Sequence, residues 1–162
     1  MSFFSGAHIV LLIVVLLGFS PSFYLRSAFH HTAGLPAVLY IHGVVLTGWF
    51  SLTVLQAWLI RTRRLRLHRQ LGYFGAGYAA IVIVLGTVAN LRLISEIDSP
   101  ADGENIVVWG NFFTLVMFAA FVTLAVRFRA RPEAHKRLML LVSLAAAVFL
   151  GVTGIGYHFL HG

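Results

Sequence analysis

Five apolar stretches dominate the chain. Each is close to the roughly 20 residues that carry an α-helix across the hydrocarbon core of a bilayer. They run over Phe4–Tyr24, Ala37–Ile60, Tyr73–Ile94, Ile106–Phe128 and Leu138–Leu160. The breaks between them are polar or hold turn formers. Gly34 and Pro36 mark the first, an arginine run the second, "DSPADGEN" the third and "RARPE" the fourth. In "RARPE", Pro132 is expected to stop a helix. This pattern predicts an all-α integral membrane protein with one transmembrane domain over residues 1–162. Its five-helix bundle covers about 4–24, 37–60, 73–94, 106–128 and 138–160. No stretch is left over for a water-soluble domain.

Composition sharpens that reading. Only 10% of the 162 residues are charged and 59% are hydrophobic, with a mean hydropathy of +0.89. Soluble domains carry about 25% charged residues, so this chain has too few to cover a surface in water. The absence of cysteine removes disulfides, thiolate metal ligands, iron–sulfur clusters and cysteine nucleophiles from consideration. The first apolar segment has neither a basic leader nor a small-residue cleavage site, so a retained helix is expected.

Charge then orients the bundle. Arg61, Arg63, Arg64, Arg66 and Arg69 fall in the second loop, and Arg127, Arg129, Arg131, Lys136 and Arg137 in the fourth. Glu96, Asp98, Asp102 and Glu104 fall in or beside the third. Basic loops stay cytoplasmic, so the N-terminus is expected inside and the C-terminus in the periplasm. The net charge of +7 is therefore a topology signal, and no nucleic-acid partner is expected. Aromatic residues agree with two interfaces: Tyr24, Tyr40, Trp109 and Tyr157 on the outer side, Trp58 and Tyr73 on the inner. The expected location is a bacterial inner membrane, with the lipid bilayer as the main partner.

Eight histidines in so short a chain are many, and they fall near the two interfaces. His42, Trp49 and Gln56 follow one another at steps of seven, nearly two helical turns, so they share one face. Lipid cannot hydrogen-bond imidazole or amide, so the face is expected to turn inward. That stripe is either a packing seam or a place where His42 ligates a cofactor. His158 is the candidate partner, and His30 and His31 are further outer ligands. His161 lies next to the end and carries little weight. Neutral imidazole suits haem iron, Cu, Zn and Fe, so haem b or a transition metal is the expected cofactor, with His42, His158, Trp49 and Gln56 around it. His8, His68 and His135 are secondary candidates on the inner side. No pair has a diagnostic metal spacing. Two stacked haems are not expected, because His135 and His158 are about 35 Å apart along one helix.

"LHRQLG" and "AHKRLM" form a weak internal repeat, each with an arginine four residues before its histidine: Arg64 before His68, Arg131 before His135. Topology alone accounts for such basic corners, and anionic head groups are a second possible reason for them. Among the other polar groups, Gln56, Asn90 and Asn111 suit interhelical hydrogen bonding, and Arg92 with Glu96 suits a helix-end ion pair. No serine–histidine–acid arrangement supports hydrolase chemistry.

"HGVVLTGWFSLTVLQAWL", "LHRQLGYFGAG" and "RPEAHKRLMLLVSLAAA" together resemble an uncharacterised family of small bacterial multi-spanning membrane proteins. Its motifs are H-G-x5-W-x6-Q, L-H-R-x-L-G and H-K-R-L-M-L. The likeness covers roughly residues 36–145 and falls on His42, Trp49, Gln56, His68, Arg69 and His135–Leu140. A looser likeness, with a different order of segments, is to membrane proteins of cytochrome oxidase assembly. These resemblances imply functional histidines. The expected function is haem or transition-metal binding in electron transfer or respiratory-complex maturation. The competing readings are a non-catalytic subunit packed against a larger membrane complex and a small transporter or proton path.

Overall fold

The computed structural model describes residues 3–25, 28, 36–95 and 104–161, without the side chains of 21, 22, 93, 104–106, 150 and 152–161. It is all-helical among those residues. Helix α1 is Phe3–Phe19 and runs into a π-helical turn at Ser20–Tyr24; α2 is Ala37–Arg61, α3 Leu65–Ser95, α4 Glu104–Arg127 and α5 Pro132–His161. Among the described residues, three helices are long and apolar enough to cross a membrane: Ala37–Arg61, Leu65–Arg92 and Val107–Arg127. The apolar helix α1 is shorter than these at 17 residues.

Each helix packs on its neighbour in sequence, and α1 also packs on α5, which closes a five-membered ring. The most extensive contacts are α4 with α5 and α2 with α3. The bundle is thus two helical hairpins with α1 laid across them. Both hairpins turn at the arginine-rich end. There Lys136 of α5 sits 4.9 Å from the Phe4 ring centre, which places the start of α1 at the same end.

The first hairpin turns in three residues, Thr62, Arg63 and Arg64. Its bonds are those of a Schellman cap: the Arg64 amide donates to the Leu59 carbonyl (2.9 Å) and the Arg63 amide to Ile60 (3.1 Å). Arg63 takes the left-handed conformation this cap requires, φ 58°, where glycine is usual. The next helix starts at once, with the His68 amide donating to the Arg64 carbonyl (3.0 Å). The second hairpin repeats the step, His135 donating to Arg131 at 2.9 Å. This explains the arginine four residues before each histidine: both pairs form the first hydrogen bond of a helix. It also corrects two expectations. The third and fifth helices begin earlier than Tyr73 and Leu138, so His68 and His135 are helical. Pro132 starts a helix instead of stopping one, since its missing N–H has no intrahelical partner at the first position.

Between the helices lies one apolar core. Phe50, Leu46, Val142, Trp49, Phe118, Ala146 and Phe149 are buried in it. Facing outward are Val10, Ile13 and Leu17 of α1, Phe74, Ile81, Val84 and Leu91 of α3, and Phe112, Phe113 and Val116 of α4. So much exposed hydrocarbon suits lipid and not water. In lipid the helices gain little from the hydrophobic effect and are held by close packing and interhelical hydrogen bonds. Glycine permits the closest approach. At Gly48 a Cβ would collide with the Tyr78 hydroxyl, which donates across to the Val45 carbonyl at 2.9 Å. At Gly43 a Cβ would lie 2.6 Å from the Phe23 ring. The Tyr24 and Thr47 hydroxyls also bond α1's terminal turn to α2.

Candidate functional site

The hydroxyl side chains of this bundle are mostly satisfied within their own helices. Thr47 donates to the Gly43 carbonyl, Ser51 to Thr47, Thr87 to Ile83, Thr123 to Ala119 and Ser143 to Met139. Against that background a few buried polar atoms stand out because no described residue hydrogen-bonds them. They are both ring nitrogens of His42, Trp49 Nε1, Gln56 Oε1, His68 Nδ1 and Asn90 Oδ1. Three of these residues are the His–Trp–Gln stripe. His42 is 4% exposed and Trp49 3%, so the stripe turns inward as its spacing predicted, with Gln56 half-buried.

His42 lies near the end of the bundle away from the arginines. Its ring meets Phe149 of α5 edge to face, with centroids 5.3 Å apart. Across from it, Gly86 of α3 has no side chain, and a Cβ there would come within 3.6 Å of His42 Cε1. Beside the ring is a cavity of about 10 Å³ walled by Leu46, Val82, Thr114, Leu115, Phe118 and Ala146. That volume holds about one water molecule. Thr114 is the other polar wall, and its hydroxyl bonds to the carbonyls of Gly110 and Asn111, each at 3.0 Å. Both hairpins contribute walls, so the cavity lies between them. One and two further steps of seven along α2, Trp49 packs edge to face on Phe118 (5.2 Å) and Gln56 approaches the basic end.

A second group of histidines collects at the basic end. The His135 ring nitrogen Nδ1 donates to the Ala125 carbonyl at 2.9 Å, across the α4–α5 turn. His68 hydrogen-bonds the Gln56 backbone and lies within electrostatic reach of His135. His8 is buried, and its Nδ1 bonds the Phe4 carbonyl at 2.7 Å. Backbone partners of this kind select one tautomer of each imidazole and leave the other nitrogen with its lone pair. For His68 that remaining nitrogen is the buried, unpaired Nδ1.

Several expected site residues lie elsewhere. His30 and His31 fall outside the described residues, as does Glu96, the expected partner of Arg92. His158 is on α5, but its side chain is outside the described residues too, as are those of Tyr157 and His161. Among the described residues no three histidines, cysteines or carboxylates converge as a metal would require. Gly86, Thr114 and Phe149 were not legible as parts of the His42 site. No sequence spacing joins these three to His42, because each lies on a different helix. Comparison of the chain with known protein families, curated proteins and solved structures gives no match.

Proposed function

We propose that this chain is a five-span protein of a bacterial inner membrane, N-terminus inside, whose functional centre is His42. In this reading His42 is a ligand to a transition metal or haem iron, in electron transfer or respiratory-complex maturation. The observation that carries it is a buried imidazole with neither ring nitrogen hydrogen-bonded among the described residues, beside a cavity. A neutral imidazole lone pair in an apolar setting is a good donor to such ions. The two cofactors differ in fit. A bare ion suits a cavity of about 10 Å³, whereas a porphyrin requires the two hairpins to part. His30, His31 and His158 are the residues that would complete the ligand set, and Trp49 and Gln56 continue the polar face below it. The bound group would supply one-electron chemistry; the bundle would exclude water and hold the imidazole.

A second reading is a proton path. What favours it is the recurrence of unpaired polar atoms from His42 through Trp49 and Gln56 to His68, a line that runs the length of α2. Purified full-length protein, made with haem and metals in excess, separates the two. A Soret band or stoichiometric metal that disappears in His42→Ala supports the first reading. Colourless, metal-free protein sinks it, and proton flux in proteoliposomes, lost in the same variant, then supports the second.

A further inference from the structure

Ten of the twelve cationic side chains flank the two hairpin turns, and all but half-buried Lys136 are exposed. The acids are elsewhere in the sequence except Glu133, and Lys136 occupies that carboxylate at 2.6 Å. Three of the arginines lie against aromatic rings instead. Arg64 lies 5.3 Å from the Trp58 ring centre, Arg131 5.6 Å from Phe128, and Arg129 5.5 Å from Tyr73. A guanidinium on a ring face keeps its N–H edges free for a planar, two-point contact with an anion.

The Arg129–Tyr73 contact differs from the other two because it joins separate hairpins, the α4–α5 turn to α3. Tyr73 is 68% exposed and continues into Phe74, 59% exposed, on the outward apolar face of α3. An anion site and a hydrocarbon surface are therefore continuous at this point. A soluble polyanion satisfies only the first. An amphiphile with an anionic head satisfies both.

We propose that an anionic glycerophospholipid binds here, its phosphate against Arg129 and its acyl chains along the Tyr73–Phe74 face of α3. This rests on the three membrane-spanning helices and not on His42, so it stands if the cofactor reading fails. The test is native mass spectrometry of the full chain released from detergent, titrated with phosphatidylglycerol or phosphatidylcholine. Phosphatidylglycerol should bind about tenfold more tightly, and Arg129→Ala should lose about that tenfold. Arg137→Ala removes the same charge from the same end and should change binding less than about twofold. Tyr73→Leu, which keeps the apolar face but releases the guanidinium, should weaken binding severalfold. Equal binding of the two lipids overturns the proposal. So does an equal loss in Arg129→Ala and Arg137→Ala, which would mean diffuse charge only. Displacement by millimolar inorganic phosphate alone also overturns it, since the ligand would then need no acyl chain. If Arg129→Ala does not fold by circular dichroism, Arg129→Lys replaces it, and undiminished binding in that variant counts against the guanidinium seat.

Discussion

Replacing His42 by leucine should stabilise the protein when it is free of metal and haem. The imidazole is 4% exposed and its two nitrogens have no hydrogen-bond partner among the described residues. A buried, unsatisfied polar atom costs about 1–3 kcal/mol. The adjacent cavity of about 10 Å³ has room for one water, enough to serve one nitrogen. One unsatisfied nitrogen remains, so removing it should gain about 1–3 kcal/mol. Leucine nearly preserves the volume packed against Phe149 and favours the helix slightly more. The measurement is thermal unfolding in detergent with chelator present, where a gain of this size raises Tm by roughly 2–12 °C. A ligand bound to His42 should reverse the order: at a hundredfold excess over its Kd it stabilises wild type by about 2.7 kcal/mol and leaves the variant unchanged. A His42→Leu protein that is less stable than wild type under chelated, haem-free conditions would refute the reasoning, because His42 would then be making bonds that hold the fold.

Other expectations follow from particular contacts. In Gly86→Val the new side chain meets Leu115 and His42, since even a Cβ would sit 3.0 Å from Leu115; it should cost about 1–3 kcal/mol and remove any ligand bound by His42, read as Tm and metal content. Tyr78→Phe should lose about 0.5–1.5 kcal/mol with its bond to Val45, and Gly48→Ala should be less damaging in that background than in wild type, as a double-mutant cycle would show. Arg63→Gly removes left-handed strain and should raise stability by up to about 1 kcal/mol in a denaturation series. Glu133 is held below its ordinary pKa of 4.5 by the Lys136 ammonium. The pair's contribution is therefore present above that value and lost as pH falls through the lowered one. Because the pair is exposed, high salt or Glu133→Gln should abolish this dependence in pH-resolved melting curves.

The helical architecture was legible because its cause is local. Long apolar runs between polar breaks reflect the length a helix needs, and Ala37–Ile60 differs from the observed α2 by a single residue. Helix starts were less legible. Leu65–Gly72 and Pro132–Arg137 are polar enough to resemble loops, yet their backbones are helical because each turn is closed by hydrogen bonds to Arg64 and Arg131. Hydropathy detects apolar length, and it does not detect the polar first turns of a helix. The inward face of His42 and Trp49 followed from their spacing together with the cost of polar groups in lipid. Their neighbours did not, because Gly86, Thr114 and Phe149 come from three other helices, and a sequence without pairing information does not reveal which helices meet.

The paired turns also have a mechanical consequence. Thr62–Arg64 and Phe128–Arg131 are short, lie at the same end, and are bridged by Arg129 on Tyr73. At the far end the chain itself joins the hairpins, through the eight residues 96–103 between α3 and α4. The two arms are therefore tied at both ends, by a cation–π contact at one and by the covalent chain at the other. His42 sits toward the covalently joined end, in the seam between the arms. Breaking the Arg129–Tyr73 contact would release the basic end, while the end beside the imidazole stays tethered. Widening the seam beside His42 is thus limited by the reach of the eight residues between α3 and α4.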